Sequence, residues 1–61
     1  MNSMWLARDQ NGRLYMYEQK PMKSVYGFVG VGGKWCYIGK GMCPEVTHEN
    51  SPVEIEIKMN V

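Results

Sequence analysis

The stretch WLARDQNGRLYMY, Trp5 to Tyr17, decides how this chain folds. Two apolar and aromatic runs flank Asp-Gln-Asn-Gly-Arg, and Asp, Asn and Gly are the residues that tight hairpin connections select. Two registers compete. A two-residue Asn11-Gly12 turn sets Gln10 against Arg13 and Trp5 against Glu18. A three-residue Gln10-Asn11-Gly12 loop, with Gly12 left-handed, sets Asp9 against Arg13. It also sets Trp5 against Tyr17, Leu6 against Met16 and Ala7 against Tyr15. The second register is favoured, because it joins unlike charges at the loop mouth and aromatic residues across the strands, each pair contributing roughly 0.2–1 kcal/mol. A slip of one residue would exchange every face. In this register Leu6, Leu14 and Met16 share one face, while Trp5, Ala7, Tyr15 and Tyr17 share the other. The first set is expected to meet Ile55 and Ile57 in the core, which leaves the aromatic face for a second packing layer, a twin subunit or a ligand.

Outward from this hairpin the punctuation remains that of strands. KPM at 20–22 ends the second strand, because proline cannot donate to a central ladder. SVYGFVGV at 24–31 reads as a third strand, Gly32-Gly33 as a tight turn, and KWCYIG at 34–39 as a fourth strand closing a second hairpin. The segment 40–52 is a connection, with room for one helical turn around Pro44–Val46. PVEIEIKMNV alternates cleanly, with Val53, Ile55, Ile57 and Met59 on one side and Glu54, Glu56 and Lys58 on the other, as in a half-buried strand. No helical period is sustained. The expected fold is all-β, or β-rich with at most one helical turn. About five short antiparallel strands form a small curled sheet or barrel in a single domain over 1–61.

The totals narrow the class. A chain of 61 residues is marginal as a lone core, and scaffolds below about 70 residues often lean on disulfides, metal or association. Lys and Arg number 7 against 6 for Asp and Glu, which lowers the expectation of nucleic-acid binding. No apolar run approaches the roughly 18 residues of a membrane span. The first ten residues lack the basic head and apolar core of a secretory signal. The expected setting is a reducing cytoplasm, where Cys36 and Cys43 are free thiols.

The residues that carry chemistry are few, and no catalytic residue, metal site or cofactor is expected. His48 and Cys43 lie five apart in an irregular loop with nothing to orient them as a nucleophile and base. Glu54 and Glu56 read as a solvated strand face. Cys36, Cys43 and His48, near Glu45 and Glu49, form C-x6-C-x4-H, which lacks the tight knuckle spacing of structural zinc. Cys36 instead alternates with Trp35 and Tyr37 as a packing residue. GVGGKW runs into a strand rather than the helix that a phosphate loop requires. The candidate interaction surface is Trp5, Tyr15 and Tyr17 with Arg8 and Arg13. The partner it suits is a protein or a second copy of the chain. A single-stranded nucleic acid is the alternative, because small β-domains stack bases on aromatics beside basic side chains. Arg8, Arg13, Lys20, Lys23, Lys34 and Lys40 all fall early in the chain, while Glu45, Glu49, Glu54 and Glu56 fall late.

At WLARDQNGRLYMY, at Lys20-Pro21 and at PEVTHENSPVEIEI (44–57) the chain resembles a family of small uncharacterised proteins of bacteria and their phages or prophages. Their pattern runs roughly W-(I/L)-A-R-D-x-(D/N)-G-x-L-x-L-Y, then K-P, then F-P-E-V ahead of a second acidic, proline-punctuated strand. This chain departs from it at Cys43 and His48, where the family carries aromatics, and in its glycine-rich middle. The resemblance implies a free-standing small domain of bacterial or phage origin that acts by binding another molecule. It brings no catalytic residue.

Overall fold

In the computed structural model, which describes residues 2–57, the hairpin takes the three-residue register. Strand β1 (Asn2–Arg8) pairs antiparallel with β2 (Leu14–Tyr17), with Trp5 opposite Tyr17, Leu6 opposite Met16, Ala7 opposite Tyr15 and Arg8 opposite Leu14. The loop closes through Asp9 N–H donating to Arg13 O at 2.9 Å and Gly12 N–H to Asp9 O at 3.0 Å. Gly12 sits at φ +92°, where a Cβ would be strained. Asn11 Oδ1 accepts from Arg13 N–H at 3.0 Å, an Asx turn that pins the loop. The expected charge pair at the loop mouth does not form. The Asp9 carboxylate turns away from Arg13 and accepts from Phe28 N–H at 3.1 Å.

Strand β6 (Val53–Ile57) joins the other side of β1, with Leu6 opposite Val53, Met4 opposite Ile55 and Trp5 opposite Glu54. Strand β5 (Trp35–Gly39) joins the outer side of β2, which gives an open antiparallel sheet in the order β5-β2-β1-β6. The expected hairpin between 24–31 and 34–39 is therefore replaced. Residues 34–39 pair with β2, because Trp35 and Tyr37 then stand beside Tyr17 and Tyr15 as same-face aromatic neighbours.

The expected strand 24–31 shortens to β4 (Phe28–Val29), which pairs with β3 (Met22–Lys23) as a separate two-stranded piece. Its turn closes through Ser24 N–H donating to Gly27 O at 2.7 Å, with Val25 and Tyr26 at an exposed tip. Glycine is the physical reason the long strand fails. Gly27 brings its backbone hard against the Asp9 carboxylate, an approach that only a residue without a Cβ makes, while Gly30 stands in ordinary contact with the rings of Trp35 and Tyr17. The described strands thus number six, close to the expected five, all antiparallel, in a four-stranded sheet that is not closed into a barrel and a separate two-stranded one.

Each face of the sheet is covered at one end. Leu6 and Leu14 are buried with Val46, and Met16, Ile38, Cys43, Val53 and Ile55 pack around them. The expected Leu6–Leu14–Met16–Ile55 core is present, roofed by the 40–52 connection rather than by a second sheet. The side chain of Ile57, and Lys58 and Met59, lie outside the described residues. On the opposite face Ala7, Tyr17 and Phe28 are buried, with Trp5 and Tyr15 against them. Asp9 is the latch that holds the β3–β4 piece there. Asp9→Ala is expected to cost about 1–3 kcal/mol, because Phe28 N–H loses a charged acceptor. Proton NMR should then show the Phe28 ring moving into a solvent-like environment. An unshifted Phe28 would show that apolar packing alone holds the piece.

Candidate binding surface

The aromatic residues of the sheet divide by coverage. Tyr17, between β1 and β5, is only 4% exposed, and its hydroxyl donates to Phe28 O at a long 3.5 Å. Burial first, then the negative charge of Asp9, then Tyr15 hold its hydroxyl above the usual tyrosine range. A phenol whose native pKa is raised gives stability that is complete below about pH 10 and lost as pH climbs through the native value. The stability of the wild-type chain is expected to fall through that alkaline range, and Tyr17→Phe to lessen the fall. Denaturant titrations at neutral and alkaline pH measure both. Equal alkaline slopes in the two proteins would remove Tyr17 from the account.

Trp5 and Tyr15 are half-buried, and Lys20 Nζ stands 5.5 Å from the centre of the Trp5 ring, a cation–π distance. Beyond them the cover ends. Trp35 is 60% exposed and Tyr37 53%. Tyr15 ties these rings together, edge-on to Trp35 at 5.7 Å and tilted to Tyr37 at 5.4 Å. A groove of about 300 Å3 runs between this cluster and the β3–β4 piece, floored by Tyr15 and Tyr17 and walled by Phe28, Gly30 and Trp35.

Strand β5 also leaves backbone groups open. Glu18 N–H donates to Lys34 O at 2.9 Å, which points Lys34, and two residues on Cys36, at β2. Strand alternation turns the N–H and C=O of Trp35 and Tyr37 outward. Among the described residues no backbone group answers them. The opposite edge differs, because β6 presents the exposed carboxylates of Glu54 and Glu56, the kind of charge that blunts a sheet edge.

Of the residues expected at the surface, Trp5 and Tyr15 border this open end, Tyr17 lies beneath it, and Arg13 is exposed at the hairpin tip. Arg8 is occupied elsewhere. Its Nε donates to Val46 O at 2.6 Å, one terminal nitrogen to Gly12 O and Lys40 O at 2.7 and 3.0 Å, and the other to Met42 O and Cys43 O at 2.6 and 3.1 Å. All five guanidinium donors are thereby used. Arg8 N–H also donates to Ser51 Oγ at 2.9 Å, so one residue gathers the hairpin turn and the whole 40–51 connection. Trp35 and Tyr37 were visible in the sequence as same-face neighbours. Their place beside Tyr15 was not, because it depends on which strand β5 joins.

The remaining chemical candidates are dispersed. His48 Nδ1 lies 3.1 Å from Arg8 O, and a carbonyl accepts only, so the ring donates there and stands edge-on to Phe28 at 5.9 Å. Cys43 sits at φ 50° against the Leu6–Leu14–Val46 cluster, and Cys36 is exposed on β5. Among the described residues no three His, Cys, Asp or Glu side chains gather as a metal site needs. No described helix is long and apolar enough to cross a membrane. Protein-family models, curated proteins and solved structures yield no match to this chain.

Proposed function

We propose that the chain is a non-catalytic binding module that docks a protein partner on the open end of its sheet, through Tyr15, Trp35 and Tyr37. The observation that carries this reading is the uncovered aromatic cluster joined to an unanswered backbone edge. Soluble domains leave few contiguous apolar patches bare, and bare ones mark contact sites. Tyrosine and tryptophan are also the residues on which binding energy concentrates. Arg8 and Tyr17, spent on the fold, position this surface from behind. Trp5 and Arg13 form its outer margin. The reading keeps a reducing cytoplasm of bacterial or prophage origin as the setting, where Cys36 stays a thiol.

A photoreactive phenylalanine analogue in place of Tyr37 tests the surface, with the same analogue at Tyr26 as control, since Tyr26 is more exposed but stands on the β3–β4 tip. Crosslinking in concentrated cell extract is expected from position 37, suppressed by excess unlabelled chain, and absent from position 26. Equal crosslinking from both positions would contradict the reading.

A single-stranded nucleic acid is the second reading, favoured by one observation. Exposed Lys34 and Lys40 bracket the aromatic strand, the pairing of charge and stacking ring that such ligands use. Quenching of tryptophan fluorescence by a single-stranded oligonucleotide, lost steeply as salt rises, would support it. No quenching at low salt removes it.

A further inference from the structure

We propose that the partner of this surface is a second copy of the chain, joined β5 to β5 about a two-fold axis that passes at Cys36. The proposal rests on the binding-module reading and names its occupant. Its geometry follows from the backbone. Gly33 at φ 68° ends the strand on one side and the bulge after Tyr37 ends its regular pairing on the other, which leaves Trp35 and Tyr37 as the outward-facing residues, symmetric about Cys36. Two such runs placed antiparallel about Cys36 set each copy's Trp35 opposite the other's Tyr37. These are the two residues whose N–H and C=O point outward, so every open group finds its complement and four hydrogen bonds form. Centring on Tyr37 instead would bring Trp35 opposite Gly39, beyond the bulge that follows Tyr37, and waste that pair.

Side chains agree with the register on both faces. Trp35 and the second copy's Tyr37 become direct cross-strand neighbours, which merges two Tyr15–Trp35–Tyr37 clusters into one aromatic band. On the other face a pocket of about 230 Å3, lined by Met4, Met16, Trp35 and Cys36 with the charged Glu18 and Lys34, opens beside the axis.

Charge selects this edge over the other. Joining β6 to β6 would oppose Glu54 and Glu56 with their own copies, and like charges directly opposite are destabilising. Joining β5 to β6 is head-to-tail and leaves unpaired edges until a ring closes or a filament grows, whereas β5 to β5 closes after two copies. A net charge of +1 sets little repulsion against association.

Cys36 reports the register. Flanked by two hydrogen-bonded pairs, Cys36 and its twin form a non-hydrogen-bonded pair with Cα atoms about 4.5 Å apart, inside the disulfide range. In a Cys43→Ser chain, diamide should therefore join two copies through Cys36, the two thiols giving up two protons and two electrons to the oxidant. A Cys36→Ser/Met42→Cys/Cys43→Ser chain, its single thiol on the exposed connection, should not crosslink. Sedimentation velocity of the full chain, from low to high micromolar concentration, should pass from one to two chain masses. Tyr37→Pro removes one outward donor per copy and leaves the β2 side of the strand intact, as proline does on edge strands. It should sediment as monomer throughout, as should Trp35→Lys, with circular dichroism showing that each is folded.

A wild-type chain that stays monomeric at high micromolar concentration overturns the proposal. So does a dimer that Cys36 fails to trap, or one that a folded Tyr37→Pro chain still forms. If monomers still crosslink another protein through position 37, self-pairing falls and the binding-module reading stands. If they crosslink nothing there, both fall.

Discussion

Arg8→Ala is expected to lower the melting temperature by at least about 10 °C, read by circular dichroism. The reason is the geometry of one guanidinium. A connection of a dozen residues without regular structure roofs half the core, and its carbonyls at Lys40, Met42, Cys43 and Val46 turn inward to Arg8. Hydrogen bonds to a charged donor are worth about 1.5–3 kcal/mol each when shielded. Two of these bonds are solvent-exposed and are discounted. The three part-buried ones, to Val46, Gly12 and Cys43, are not fully shielded and are counted at about 1 kcal/mol each, a loss of about 3 kcal/mol. A domain this small holds only about 3–5 kcal/mol in total. Arg8→Lys supplies three donors from a single point and should recover only a minor part of the loss. A melting temperature for Arg8→Ala within about 2 °C of wild type would show that Val46 packing holds the connection unaided.

The second large effect belongs to Leu14, the largest side chain in the described chain with no exposed surface. Leu14→Ala leaves a cavity between the sheet and the Val46 roof, and such truncations cost about 2–5 kcal/mol. That is comparable to the whole stability of the domain. The variant is expected to populate unfolded chain at room temperature, visible as collapsed chemical-shift dispersion. Val25→Ser is the matched control. Val25 is 81% exposed on the β3–β4 tip, so its stability should stay within about 0.5 kcal/mol of wild type. A stable, well-dispersed Leu14→Ala spectrum would mean that the roof collapses onto the vacated space.

The two predictions mark where sequence patterns suffice and where they stop. The first hairpin was readable because its register follows from local chemistry: Gly12 permits a left-handed residue, and Leu6, Leu14 and Met16 form a consistent face. The last strand was readable for the same reason, since Val53 and Ile55 alternate with Glu54 and Glu56. The middle was not. Residues 24–31 contain Val, Tyr and Phe at strand-like density, yet Gly27 is placed for close approach to Asp9, a partner that lies far back in the sequence. The pairing of β5 likewise depends on competition between two possible neighbours, and the aromatic match to β2 decides it. Arg8 looks like any surface arginine, since its acceptors are backbone carbonyls up to 38 residues away and carry no side-chain signature. The candidate surface was therefore half legible. Tyr15 was identifiable as part of it and Trp5 as its margin, while Trp35 and Tyr37, its most exposed rings, gain their importance only from the strand order.

Amide hydrogen exchange along β5, measured by NMR at low protein concentration, tests most directly the claim that this edge is open and built to dock. The account predicts slow exchange at Cys36, whose N–H is directed at β2, and fast exchange at Trp35 and Tyr37. It also predicts that the latter two become protected as the surface is occupied. Protection at Trp35 and Tyr37 in the dilute monomer would contradict it, because the edge would then already be covered by the chain's own backbone.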